Sequence, residues 1–179
     1  MLGFVHPIIA LEQSKFQGGL LVLNQSGDPV EFRCTVPVRT TRLQQILWGQ
    51  RLVAHVLGQL ILRPLIQSAK TQIAVVLVER EEFLPVRGDL SVPLLLIRRQ
   101  DHPSDRIQSP NTVTIAHVSP GKEALLLQSA WGFEEDLEVG CRLVSEFLKT
   151  CHPLEAFQRI EQALHILKPK LEEQVRVTG

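Results

Sequence analysis

Two stretches of this chain are too apolar to sit anywhere but in an interior. Ile73-Ala74-Val75-Val76-Leu77-Val78 is an unbroken aliphatic run, and Val92–Ile97 is interrupted only by Pro93. Short aliphatic runs rich in β-branched residues fit strands covered on both faces, which is the habit of parallel sheets. Upstream, Arg51–Gln67 carries Leu52, Val53, Val56, Leu57, Leu60, Ile61, Leu65 and Ile66, and leaves only His55, Gln59, Arg63 and Gln67 as a polar strip. A helix apolar around most of its girth must be buried on several sides. The two runs are therefore expected as neighbouring inner strands, Ile73–Glu79 and Val92–Ile97, roofed by the 51–67 helix. The crossover from the Val30 strand through that helix should be right-handed. Pro64 should bend the helix near its end.

Around this centre the pattern supplies further elements. Gly18–Asn24 and Val30–Val38 flank Asn24-Gln25-Ser26-Gly27-Asp28-Pro29, a concentration of turn formers, and read as an antiparallel hairpin. In the second strand Val30, Phe32, Cys34, Val36 and Val38 alternate with polar residues, so that face is expected in the core. Gly3–Leu11 reads as an edge strand, with Pro7 limiting its pairing. Thr40 or Thr41 can cap a helix whose apolar positions begin at Leu43, Ile46 and Leu47, and Gly49 should kink or split it. Gln100–Pro110 is polar and loop-like; Thr112–Val118 and Glu123–Ser129 flank a turn at Ser119-Pro120-Gly121-Lys122. Two amphipathic helices follow, striped by Leu137, Cys141, Val144 and Leu148, then by Leu154, Phe157, Ile160, Leu164 and Leu167, with Pro169 ending the last. The fold class expected is α+β: a mixed sheet of about five to seven strands with a βαβ element, one long buried helix and two C-terminal helices. Residues 1–169 form one domain, and 170–179 form a C-terminal tail free to fray.

Charge and cysteine content narrow the function classes. Lys plus Arg and Asp plus Glu number 19 each, so the formal net charge is zero. Proteins that bind nucleic acid through phosphates usually carry a basic excess, and the chain has no Tyr and 5% aromatic residues for stacking on bases. Nucleic acid is therefore not an expected partner on composition alone. The three cysteines, Cys34, Cys141 and Cys151, are odd in number and widely spaced, against a disulfide scaffold or a structural zinc site. Cys34 and Cys141 fall on apolar stripes and read as core thiols. Cys151 beside His152 lacks further ligands in sequence. No aliphatic run approaches the roughly 18 residues of a membrane span, and no secretion signal opens the chain, so the cytoplasm is the expected compartment.

No dinucleotide fingerprint, phosphate-binding loop or nucleophile elbow occurs. The candidates that remain sit at strand ends, where ligands of parallel sheets collect. Glu79 closes the first buried strand and Asp101 follows the second; these carboxylates could share a divalent cation. Arg98 and Arg99 precede Asp101, while Arg39 and Arg42 flank a helix start, and these four could hold an anion. The plainer account is that charged side chains gather wherever strands meet water.

The segment Phe16-Gln17-Gly18-Gly19-Leu20-Leu21-Val22-Leu23-Asn24, continuing through Gly27, Pro29 and Glu31-Phe32-Arg33-Cys34-Thr35, resembles a stretch found in a group of uncharacterised bacterial proteins. Pro37 and Leu43–Gly49 are similar in the same way. The resemblance implies no activity. The principal expectation is a non-enzymatic interaction or regulatory module, with a protein partner or self-association covering the apolar helix. It would need no cofactor, resident metal or membrane. The alternative is a metal-dependent hydrolase or nuclease-like enzyme using the strand-end carboxylates.

Overall fold

The computed structural model describes residues 1–10, 13–100, 109–115 and 124–177, with side chains described as far as residue 167. Asp101, most of the expected 100–110 loop and the 119–122 turn lie outside the described residues. Eight strands form one mixed sheet: β1 (Leu2–Ile9), β2 (Lys15–Leu23), β3 (Pro29–Cys34), β4 (Val38–Arg39), β5 (Val75–Val78), β6 (Leu94–Arg99), β7 (Thr112–Ile115) and β8 (Leu125–Ser129). Their order is β3-β2-β1-β5-β6-β8-β7, with two-residue β4 closing on the start of β2. β1, β5 and β6 run parallel at the centre. The β2–β3 and β7–β8 pairs are antiparallel, as the turn signals predict.

The two aliphatic runs are adjacent inner strands: Val76 pairs with Leu94, Leu77 with Leu95 and Val78 with Leu96. They are roofed as expected. A continuous helical rod runs through α2 (Arg51–His55), a π-helical segment (Val56–Leu62) and α3 (Arg63–Ser68). Pro64 has no N–H to return to Leu60, and the turn ahead of it winds wide, with the Arg63 N–H reaching the Gly58 carbonyl five residues back. The rod is apolar around most of its girth because it lies between two layers. Its inner side packs on Val5, Leu20, Val76 and Leu94, and Gly58 lets it close on Val86 of a 3-10 segment (Glu81–Asp89). No second subunit is required to cover it.

The opposite face of the sheet is covered by α4 (Asp136–Phe147) and α5 (Glu155–Val177). Leu2, Phe4, Val75, Leu77, Leu95 and Ile97 point that way and meet Val144, Phe147, Phe157 and Ile160. The Gly18-Gly19 pair in β2 serves both layers. A Cβ on Gly18 would lie 2.1 Å from Ile61 of the rod, and one on Gly19 would lie 2.6 Å from Ile160 of α5. Successive strand residues face opposite sides, so two glycines admit one close helix on each.

Four local expectations are corrected. β1 is not an edge strand but lies between β2 and β5; β5 pairs only with Leu2–Val5, so Pro7 falls beyond its reach and disturbs no central ladder. Thr41 caps α1 (Arg42–Trp48) through a reciprocal box with Gln44, and Gly49 splits α1 from α2 at φ +52°, yet Leu43, Ile46 and Leu47 face solvent rather than core. Val30, Phe32 and Val36 are also exposed in part, because β3 is the sheet's outer strand and Val36 lies beyond its end. α5 continues through Pro169 to Val177, since a long helix can carry a proline at the loss of one backbone bond.

Edge strand β3 is pinned by one side chain. Glu31 accepts hydrogen bonds from the backbone N–H groups of Lys70 (3.1 Å) and Thr71 (2.8 Å) and from Arg33 Nε. The Lys70 amide, then the Arg33 guanidinium, hold its carboxyl down to about 2 against an ordinary 4.5. A depressed folded-state pKa stabilises the fold fully above pH 4.5 and stops doing so as pH falls towards 2. Urea midpoints of wild type and Glu31→Gln should therefore differ at pH 6 and converge across that window. A gap that persists unchanged to pH 2 would exclude the ionised clasp.

Candidate functional site

The carboxyl ends of β1, β5 and β6 meet at one edge of the sheet, beside the start of β2 and the short strand β4. The register pairs Val5 with Val78, so the next residues, His6 and Glu79, stand side by side. His6 Nδ1 lies 3.0 Å from Glu79 Oε2. An ionised carboxylate can only accept, so Nδ1 is the donor in this bond, and in the neutral imidazole Nε2 keeps its lone pair. The two side chains are 21% and 34% exposed, sheltered enough to be held and open enough to be reached. Alternation along β1 sends Leu2, Phe4 and His6 to the α5 face, where the imidazole centroid sits 6.3 Å from that of Phe157. Phe4 packs edge-on to the same ring at 5.6 Å and makes an apolar floor behind the pair.

Cations flank this pair along the edge. On one side Lys15 of β2 is in register with Arg39 of β4, and Arg42 opens α1. Arg42 borders a polar basin of about 770 Å³ with Gln13, Ser14, Thr40 and Gln45. Thr40 Oγ1 donates to the Gln13 carbonyl at 2.6 Å, which ties β4 to the β1–β2 turn. On the other side Arg80 follows Glu79 and pairs with Glu82 at 2.6 Å, and Arg98 and Arg99 end β6. Alternation puts Arg99 on the same face as Glu79.

Of the sequence candidates, Glu79, Arg39, Arg42, Arg98 and Arg99 thus belong to one edge of the sheet. Arg39 and Arg42 lie across β2 and β1 from Glu79, not beside it. His6, Lys15 and Arg80 are additions. Their only signal in sequence is an imidazole in the apolar stripe Leu2, Phe4, Ile8. Among the described residues no group of three or more His, Cys, Asp or Glu could hold a metal ion. Cys34 and Cys141 are half-buried thiols pushed up by burial, as core cysteines should be. No helix among the described residues is long and apolar enough to cross a membrane.

No protein-family model matches the chain, and no curated protein matches it in sequence. Solved structures do match its fold. Endonuclease V from Bacillus subtilis superposes with a TM-score of 0.59 at 10% identity, covering 97% of this chain and 82% of that one. Endonuclease V from Ciona intestinalis, bound to a 23-mer DNA containing an inosine followed by a ribo-adenosine, superposes at 0.50 with 10% identity, covering 96% and 85%. Two sequence expectations give way here. The non-enzymatic interaction module falls because the fold is shared along nearly its whole length with nucleases, and because the apolar helix is covered within the chain. The exclusion of nucleic acid falls because one of these neighbours is held on DNA. Net charge was a poor guide, since it averages over the whole surface and hides cations gathered along one edge.

Proposed function

We propose that this chain is a nuclease-like enzyme that hydrolyses phosphodiester bonds at the carboxyl edge of its central strands. The observation that carries the proposal is the His6–Glu79 pair, set on adjacent parallel strands between two groups of cations. Glu79 fixes the His6 tautomer and orientation. His6 Nε2 takes a proton from the attacking water as its oxygen bonds to phosphorus and the bond to the leaving sugar oxygen breaks. Arg39 and Arg42 on one side and Arg99 on the other hold the phosphates, in line with the role of guanidinium groups at phosphate oxygens.

Among the described residues this edge offers the Glu79 carboxylate to a divalent cation. Mg²⁺ and Mn²⁺ are often held by one or two carboxylates, with water and substrate phosphate completing the shell. Glu79 would hold such an ion, and the ion would supply charge stabilisation at the phosphate. Three unpaired thiols agree with a cytoplasmic site of action.

The test is incubation of the protein with end-labelled single- and double-stranded DNA and RNA, in Mg²⁺, in Mn²⁺ and in chelator. Cleavage of at least one substrate is expected, with binding that weakens as salt rises. Failure to bind or cut any of the four under all three conditions would overturn the proposal.

A further inference from the structure

A second concavity lies away from the His6–Glu79 pair, between the 3-10 segment and the corner where β8 turns into α4. It measures about 360 Å³, and its walls include Glu81, Arg87, Gln128, Trp131 and Phe133. The turn Ala130–Phe133 closes with the Phe133 N–H on the Ala130 carbonyl, and Gly132 takes φ +79° at its third position. Trp131 is thereby thrust out at the tip, 70% exposed. An indole so exposed presents a flat face on which another ring can stack.

The wall chemistry selects what that is. Arg87 is already committed: its guanidinium clasps Asp136, donates to the Leu90 carbonyl at 2.9 Å and lies 4.5 Å over the Phe133 ring. Among the described residues the remaining charged group on the wall is the Glu81 carboxylate, which repels phosphate. Gln128 adds an amide able to donate and accept. Ser129 lies fully buried beneath this wall, with its hydroxyl unpartnered among the described residues, and presents no surface of its own to the concavity. A flat, uncharged heterocycle with amino groups on its edge suits this wall; an anion does not.

We propose that this cavity takes an unpaired nucleobase bearing an exocyclic amino group, with Trp131 stacked on its face and Glu81 and Gln128 bonded to its edge. The proposal rests on the nucleic-acid reading above. It adds a base-binding subsite that favours adenine or cytosine over thymine in single strands.

The experiment measures affinity of wild type, Trp131→Ala, Trp131→Phe and Glu81→Gln for short single-stranded dA, dC and dT oligonucleotides by fluorescence anisotropy. Trp131 is exposed, so its variants should fold. Trp131→Ala should bind dA and dC about tenfold more weakly or worse, given the usual worth of one stacked base. Trp131→Phe should stay within about threefold of wild type, and Glu81→Gln should narrow the preference for dA and dC over dT. Wild type that binds strands as tightly as Trp131→Ala would overturn the subsite while leaving the nuclease proposal standing. Wild type that binds no strand at all would overturn both.

Discussion

Glu79→Gln should cut phosphodiester turnover by about 100-fold or more, the ordinary worth of a positioned acid–base group, while leaving strand binding close to wild type. Glutamine keeps the shape of the side chain but replaces an acceptor-only carboxylate with an amide. The amide can present either an oxygen or an N–H to His6, so the tautomer with a free Nε2 lone pair is no longer enforced. Because Glu79 is a third exposed, the substitution removes little packing and the variant should unfold at nearly the same urea concentration. His6→Ala should lose a similar factor. The double variant should lose little more than either single one, since groups acting as a unit are strongly non-additive. The separation of kcat from KM distinguishes this role from a structural one: a fall in kcat with steady KM fits the pair, whereas a rise in KM alone would mean that Glu79 only shapes the binding edge. Wild-type turnover in Glu79→Gln would remove the pair from the chemistry.

Much of the fold was legible because its strongest constraint is local. Unbroken aliphatic runs admit few environments, and a helix apolar on nearly every side must be sandwiched, so β5, β6 and the rod over them follow from residues 51–97 alone. The rest depended on pairings between distant segments. Pro7 argues against a central strand only if both neighbours run its full length, and nothing in Gly3–Leu11 reveals that β5 stops opposite Val5. Leu43, Ile46 and Leu47 have helical spacing whether or not a core lies beneath them. The site divides the same way. Glu79 is visible as the residue that ends a buried strand, and the arginines as charges near strand ends. His6 is 73 positions from Glu79, so only the sheet order brings them together. Charge balance misled most, because 19 cations against 19 anions says nothing about where either group gathers.

Asp136→Ala should cost about 3–5 kcal/mol of stability, the range for removing one partner of a buried ion pair. The Asp136 side chain is 2% exposed and that of Arg87 12%. Asp136 Oδ1 accepts from Arg87 Nη2 at 2.8 Å, while Oδ2 accepts from Arg87 Nε and from the Leu94 N–H at 3.1 Å. A guanidinium stays protonated in a protein even without its partner, so Arg87 cannot escape by losing its proton when the carboxylate is removed. Deleting the carboxylate therefore strands a buried cation and a buried amide at the first residue of β6. At roughly 2–4 °C per kcal/mol for a chain of this size, the melting temperature should drop by about 10 °C. Arg87→Met combined with Asp136→Ala should recover part of the loss, because the stranded charge goes and what remains is two neutral groups, the Leu94 amide and the Leu90 carbonyl, each short of a partner. The pair also anchors the far end of the 3-10 segment, whose near end begins at Glu81, two residues after Glu79. If Asp136→Ala melted within 2 °C of wild type, Arg87 would have to reach water on its own. The clamp would then not be what ties the connection after Glu79 to α4.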